Sequence, residues 1–302
     1  MIDLSIIILT YNTYTLTRQC LQAIFADEPS RFDVEIIVVD NGSTDDTLTM
    51  LATEFTGVRL LRNQENEGFA RGNNAGLAIA NGRYLMLLNS DTKLIAGALT
   101  ALITFMDAHP DAGACGPMLL NPDGSLQPSG RNLPTLWSIF MDMTKLYRLR
   151  QSDLYQEAGR NYDHPKQVGE ISGAAIVVRR VVYEQVGGLD PAFFAYYEDV
   201  DWCKRIGQAG WLIYYIPNAK IVHLWQGTSR QVTARAYTAG QVSLRYYFAK
   251  HHGQASAFVI QLMLIGKELL RLIGCLVRRN AECTAFHWQM LQSVLTPLDI
   301  SP

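Results

Sequence analysis

Two periodicities alternate along the first third of the chain. Ser5-Ile-Ile-Ile-Leu-Thr-Tyr-Asn12, Ile36-Ile-Val-Val-Asp-Asn-Gly-Ser43 and Tyr84-Leu-Met-Leu-Leu-Asn-Ser-Asp91 are apolar runs closed by polar residues. Such runs belong to strands buried on both faces that end in a loop. Between them apolar positions recur at helical spacing. Strands are predicted near 4–9, 34–40, 57–62 and 83–88, and helices at 14–26, 44–55, 69–80 and 95–108. The alternation argues for βαβ units and a parallel sheet with right-handed crossovers. The second helix is expected to take Ser43 or Thr44 as its cap, with Asp45 and Asp46 in its first turn. Ligands bind at the C-terminal strand tips of such sheets, so Thr10, Asp40 and Asp91 should face one edge.

Residues 113–170 contain Pro117, Asn121-Pro-Asp-Gly124, Pro128 and Pro134, and read as a turn-rich connection with a hairpin at 121–124. A strand at 173–179, a short helix and a break at Gly187-Gly188 follow. Phe193 to Ile206 then enters a helix whose first turn holds Glu198, Asp199 and Asp201. Acidic residues there can simply complement the helix dipole. Two short strands, 211–216 and 219–224, lead to His223-Leu-Trp-Gln-Gly-Thr-Ser229, and the chain is helical beyond Gln231. A domain over 1–250 with a helical extension over 251–302 is expected.

Composition narrows the function. A chain of 302 residues with 48% hydrophobic content can bury a substantial core. A net charge of −2, with no Lys/Arg run interleaved with aromatics, argues against nucleic acid. Cys20, Cys115, Cys203, Cys275 and Cys283 lack zinc-ligand spacing and read as buried free thiols in a reducing compartment. The apolar run after Asp3 is too short for a secretory signal, so a cytoplasmic enzyme is expected. The first strand-to-helix turn reads TYNTYTLT rather than GxGxxG, and GxxxxGK[ST] is missing, which argues against dinucleotide oxidoreductases and nucleotide-driven motors. By spacing alone, the glycines of Asn66-Glu-Gly-Phe-Ala-Arg-Gly-Asn-Asn-Ala-Gly76 serve to pack a helix against a sheet.

Two carboxylates at neighbouring strand tips suit a hard cation bridging phosphate oxygens, and a separate acidic pair could supply a general base. In order along the chain, SIIILTYN, IIVVDNGSTD, NEGFARGNNAG, LLNSDT, GAAIVVRR, YYEDVDWCKR and HLWQGTS resemble the motifs of the family 2 glycosyltransferases, in their rhamnosyltransferase-like branch. The resemblance covers roughly residues 3–250. It implies the GT-A fold, a Rossmann-like α/β architecture with a mostly parallel central sheet flanked by helices, here with a helical C-terminal extension.

Carried over by motif, Thr10, Tyr11 and Asn12 would line the nucleoside and Asp40 would accept from a base N–H. Asn66, Gly68 and Asn73 would lie near nucleoside and sugar, with Asn89, Ser90 and Asp91 at the metal motif. Asp91 would bind Mg2+ or Mn2+ or else the ribose-diphosphate end, His223 would be a second protein ligand or a structural residue, and Ser229 would lie near the diphosphate. The family's metal motif often carries two acidic residues where this chain has Asn89-Ser90-Asp91. Gly173 and Ala174 would pass close to the transferred sugar, and the base would be Asp199, with its neighbour Glu198 as the alternative. The implied reaction is inverting transfer from a dTDP- or UDP-sugar, dTDP-L-rhamnose first, to a hydroxyl of a glycan or lipid-linked acceptor. The alternatives are a sugar-nucleotide pyrophosphorylase, disfavoured because no GxGTR-like loop is present, and a non-catalytic nucleotide-sugar-binding protein.

Between Phe258 and Arg278, Gln261, Lys267, Glu268, Arg271 and Arg278 fall within a third of a helical circumference, leaving a broad apolar face. Two readings stay open for this helix. It packs on the catalytic domain or on a second copy in a homodimer, or it lies in a membrane interface with Arg271, Arg278 and Arg279 at anionic headgroups.

Overall fold

The computed structural model describes residues 2–27, 31–146, 163–193, 195–224 and 234–296. The chain divides into two compact units, Met1–Leu133, Gln156–Pro191 and Asp199–Gly227 in the first, Pro134–Tyr155, Ala192–Glu198 and Thr228–Pro302 in the second.

The first unit is built on a sheet of β1 (Leu4–Thr10), β2 (Val34–Asp40), β3 (Arg59–Arg62), β4 (Tyr84–Asn89), β5 (Thr92–Leu94), β6 (Ala112–Leu120), β7 (Leu126–Gln127), β9 (Lys166–Gln167), β11 (Ala175–Arg179) and β12 (Leu212–His223). Its main path runs β3-β2-β1-β4-β11-β6-β12-β5, while β8 (Gly130–Arg131) and β10 (Glu170–Ile171) pair separately. The first four strands of the path are parallel, as expected from the βαβ rhythm. β11 then enters antiparallel to both β4 and β6, and β6 runs parallel to β12, so the sheet is mixed.

Residues of each strand alternate between two cores. Ile6, Ile8, Val38 and Met86 pack with Leu21 and Ile24 of α1 (Tyr14–Asp27), Met50 of α2 (Thr47–Glu54) and Leu102 of α4 (Ala98–Ala108). Ile7, Ile37, Val39 and Leu87 pack on the other face with Leu77 of α3 (Gly68–Ile79), Val182 of α6 (Arg180–Val186) and Trp202 of α7 (Glu198–Gln208). Both faces are covered, which is why the strands read as continuous apolar runs. A Cβ at Gly72 or Gly76 would lie 2.4 Å from Leu9 Cδ1 or 2.5 Å from Ile7 Cγ2, so these glycines do seat α3 against β1.

The structure corrects several expectations. Neither Ser43 nor Thr44 caps α2. The helix starts at Thr47, whose N–H donates to Asp45 Oδ1 at 3.1 Å, because Ser43 Oγ is taken by the Asn12 N–H. The turn-rich stretch after residue 112 contains β6, buried from Ala112 to Leu119, and the expected hairpin at 121–124 joins it to β7. The predicted strands at 211–216 and 219–224 are one strand, β12, with a register shift between Ile216 and Lys220 where Pro217-Asn218 bulges out of the ladder. Of the cysteines, Cys20, Cys115 and Cys203 are free and buried, but Cys275 and Cys283 are joined by a disulfide.

The second unit contains α5 (Leu136–Thr144), α8 (Ala234–His252), α9 (Gln254–Val277) and α10 (Ala281–Leu295). In α9 the polar stripe is divided: Gln261 and Glu268 face neighbouring helices, whereas Arg271 and Arg278 are exposed. Gln261 Nε2 donates to Val294 O at 2.8 Å, Arg271 Nη1 donates to Tyr237 Oη at 2.9 Å, and Glu268 is wholly buried. Phe258, Leu262, Leu269, Leu270, Ile273, Leu276 and Val277 are exposed as well.

Candidate active site

The strand tips meet at one edge, because Thr10 stands opposite Asp40 and Leu9 opposite Asn89 in the parallel ladders. Asp40 is completely buried. Its Oδ2 accepts from the Ser43 N–H at 3.1 Å, while Oδ1 has no hydrogen-bond partner among the described residues. Leaving a buried carboxylate oxygen unsatisfied is costly, so such an atom calls for a donor from outside the chain. The neighbouring side chains organise the loops. Thr10 Oγ1 is bonded to the hydroxyls of Thr17 at 2.7 Å and Thr13 at 2.9 Å, tying the tip to α1. Asn12, at φ 51°, accepts with Oδ1 from the N–H groups of Thr44 at 2.7 Å and Asp45 at 3.3 Å. Tyr11 between them is exposed.

Asn41, which sequence reasoning passed over, fastens the second tip to the loop before α3. Its Nδ2 donates to Asn66 Oδ1 at 2.9 Å and Gly68 O at 3.3 Å, and its Oδ1 accepts from Asn63 Nδ2 at 2.9 Å. Asn66 and Gly68 are thereby brought beside Asp40. Asn73 is buried and donates to Phe69 O at 2.9 Å within α3. Asn74 bonds both backbone groups of Leu189, at 2.7 and 2.9 Å.

Past the tip of β4, Asn89 donates its N–H to Ala174 O at 2.9 Å, and Ser90 Oγ lies 3.4 Å from Thr13 Oγ1. Asp91 is buried, and its Oδ1 lies 3.2 Å from His223 Nε2, because β5 pairs with the end of β12. Gln127 decides the chemistry of this pair. Its Nε2 donates to Asn121 Oδ1 at 3.1 Å and His223 O at 3.3 Å, so its Oε1 is the atom that meets His223 Nδ1 at 2.7 Å. Nδ1 must therefore carry a proton, and the Nε2 lone pair of a neutral ring would face the carboxylate. Two such donors need a cation between them, a proton or a metal ion, and a carboxylate with an imidazole fits the small oxygen- and nitrogen-binding divalent ions. Nothing in the local pattern of Leu126-Gln127 marks it; the pairing of β7 with β6 brings it here.

Around the second acidic motif, Asp199 Oδ2 accepts from the Gly173 N–H at 2.7 Å and Oδ1 from the Val200 N–H at 2.8 Å. A Cβ on Gly173 would lie 3.2 Å from Asp199 Cβ, a close approach that glycine permits. Ala174 is buried immediately before β11. Asp201 is fully buried in an ion pair with Arg205 at 2.8 Å, so this third carboxylate is structural. Glu198 opens α7 and is buried. Tyr196 and Tyr197, just before it, both adopt left-handed backbone, at φ 68° and 67°. Each costs of order 1–3 kcal/mol, strain that collects at functional turns. Sequence reasoning also missed Glu170, a buried carboxyl 3.5 Å from Arg131. Burial pushes it up to about 8, against the pull of Arg131 and with the push of Asp199, so near neutral pH it is held mostly protonated. Ser229 lies outside the described residues.

Residues 5–187 match the family model described as glycosyl transferase family 2. The N-acetylglucosaminyl-diphospho-decaprenol L-rhamnosyltransferase of Mycobacterium tuberculosis is 32% identical over 241 residues, 72% of this chain and 76% of that protein. Among solved structures, GalNAc-T7 with UDP, GalNAc and Mn2+ superposes with a TM-score of 0.60 at 16% identity, over 83% of this chain and 51% of that one. The mannosyltransferase PcManGT of Pyrobaculum calidifontis with GDP-Man and Mn2+ gives 0.58 at 16% identity, over 97% and 86%. These two share the fold, that of the GT-A glycosyltransferases, and the sequence match over more than half of the chain goes further: the protein belongs to glycosyl transferase family 2 and is a glycosyltransferase.

Proposed function

We propose that the protein transfers a sugar, L-rhamnose in the first instance, from a dTDP- or UDP-sugar to a hydroxyl of a lipid-linked glycan, with inversion in a single displacement. The observation that carries the donor side is the partnerless, fully buried Asp40 Oδ1 at the tip of β2. A thymine or uracil ring offers one N–H flanked by carbonyls, and Asp40 supplies the matching acceptor. Asp91 and His223 would hold Mg2+ or Mn2+, which would supply positive charge to the departing diphosphate. Asp199 takes the proton of the acceptor hydroxyl as it attacks the anomeric carbon, and the Gly173 and Val200 N–H groups hold the carboxylate in place. Glu170, largely protonated, keeps a second negative charge away from that base. Rhamnose as the sugar and a polyprenyl-linked acceptor are suggested by the mycobacterial relative.

Calorimetric titration with dTDP-rhamnose, UDP-sugars and GDP-mannose, with Mn2+ present, tests the donor reading. The pyrimidine nucleotides should bind, and Asp40→Asn, which can keep the Ser43 contact while turning an NH2 toward the base, should weaken them by about 10-fold or more. Unchanged affinity in that variant would remove Asp40 from base recognition.

The acceptor side rests on α9. No helix among the described residues is long and apolar enough to cross a membrane. The exposed face of Leu262, Leu269, Ile273 and Leu276, with Arg278 and Arg279 exposed at its end, instead fits a helix lying in the interface of an anionic leaflet, at the cytoplasmic side of the cell membrane. The protein should co-sediment with anionic vesicles at low salt and be released as salt rises. Leu269→Glu with Ile273→Glu should abolish co-sedimentation and spare donor binding. Full-length protein that stays in the supernatant would favour a second copy of the chain on this face.

A further inference from the structure

We infer that Cys275, Cys283 and His287 form a zinc site in the reduced protein, separate from the donor site. The sulfurs and a ring nitrogen of His287 lie within 4.8 Å of one another. Tetrahedral zinc, with bonds of ~2.3 Å to sulfur and ~2.0 Å to nitrogen, needs ligand atoms roughly 3.5 Å apart, a separation available once the sulfurs part. The backbone presents them together. Cys275 lies in the last turn of α9, and Cys283 and His287 stand one turn apart on the same face of α10. The turn between the helices has its own ties, with Asn280 N–H donating to Cys275 O at 3.0 Å and Cys283 N–H donating to Asn280 Oδ1 at 2.9 Å.

Glu268 supplies the second observation. A carboxylate wholly removed from solvent is costly unless well bonded, and this one accepts from Tyr237 Oη at 2.7 Å, Gln241 Nε2 at 3.0 Å and His287 Nδ1 at 2.7 Å. Holding Nδ1 leaves the Nε2 lone pair for a metal, the carboxylate–histidine–metal arrangement that fixes a ligand ring. Tyr237 is pushed well up by burial and by Glu268, so its hydroxyl remains a donor. Two thiolates and an imidazole select zinc over the hard ions suited to Asp91. Cys283 and His287 are only half-buried, which leaves the fourth position to water.

The disulfide is the oxidised form of the cysteine pair. A phosphine reductant opens it: phosphorus gains the oxygen of one water and gives up two electrons, and the sulfurs take the two protons. Zinc then binds as both thiols release theirs.

The test is to reduce the full chain with a phosphine, strip it of metal and titrate it with Co2+. The result expected is a near-ultraviolet thiolate-to-cobalt band saturating at one equivalent and discharged by zinc. Cys283→Ser should abolish the band. Glu268→Gln should weaken zinc by about 10–100-fold while leaving both sulfurs in place. Protein left oxidised should give no band. The Asp91–His223 pair has no thiolate and cannot produce the signal, so failure here is distinct from failure of the donor reading. A reduced native protein with no band, or a band undiminished by Cys283→Ser, would overturn the site.

Discussion

Asp199→Asn is expected to lower transfer by about 10²-fold or more while leaving nucleotide-sugar affinity unchanged. The carboxylate is already oriented by the Gly173 and Val200 N–H groups, at 2.7 and 2.8 Å. An asparagine keeps the shape and can still accept with its one carbonyl oxygen, but it cannot take a proton from an attacking hydroxyl. The loss should therefore fall on kcat. Glu198→Gln serves as the comparison, since Glu198 is buried at the start of α7 beside the strained Tyr196–Tyr197 turn. Single-turnover transfer alongside calorimetric donor binding makes the measurement. If Glu198→Gln is the inactive variant and Asp199→Asn turns over normally, the base is Glu198.

The second large effect is expected at Asp91. Asp91→Asn should cost about 10²-fold or more in Mn2+-dependent affinity for the nucleoside diphosphate, with little change when the metal is left out. Asparagine preserves the packing of this buried side chain but removes the charge that, with His223 Nε2 at 3.2 Å, would hold the proposed cation. Gln127→Leu should lose about 10–100-fold in the same titration, although Gln127 touches no ligand, because it frees the His223 ring. Equal affinity in native and Asp91→Asn protein, with and without Mn2+, would remove this pair from metal binding.

The parallel half of the sheet could be read in advance because its signals are local. Strand and helix periods alternate within βαβ units, and both faces of each strand are apolar. Strand β6 escaped because Ala112-Gly-Ala-Cys-Gly-Pro-Met-Leu-Leu120 has little intrinsic strand preference. It is extended because β11 and β12 flank it. The same contrast divides the cysteines. Their spacing offered no reason to join Cys275 and Cys283, which the reversal between α9 and α10 brings to a Cα separation of 5.7 Å.

The sequence by itself determined which strand tips end in polar groups, Thr10, Asp40 and Asp91, since strand period and polar termination need only neighbouring residues. Only the tertiary structure decided what those tips do. It left one oxygen of Asp40 without a partner, spent Thr10 and Asn12 on loop bonds, and set His223 against Asp91 with Gln127 behind it. Gln127 and His223 are 96 residues apart and meet through β-pairing, whose partners are chosen across the whole sheet. In α9 the spacing of polar residues defined a stripe, and burial of Glu268 among Tyr237, Gln241 and His287 decided that its middle faces inward while Arg271 and Arg278 stay exposed. A helical pattern fixes which residues share a face; the elements packed around it decide which face meets water.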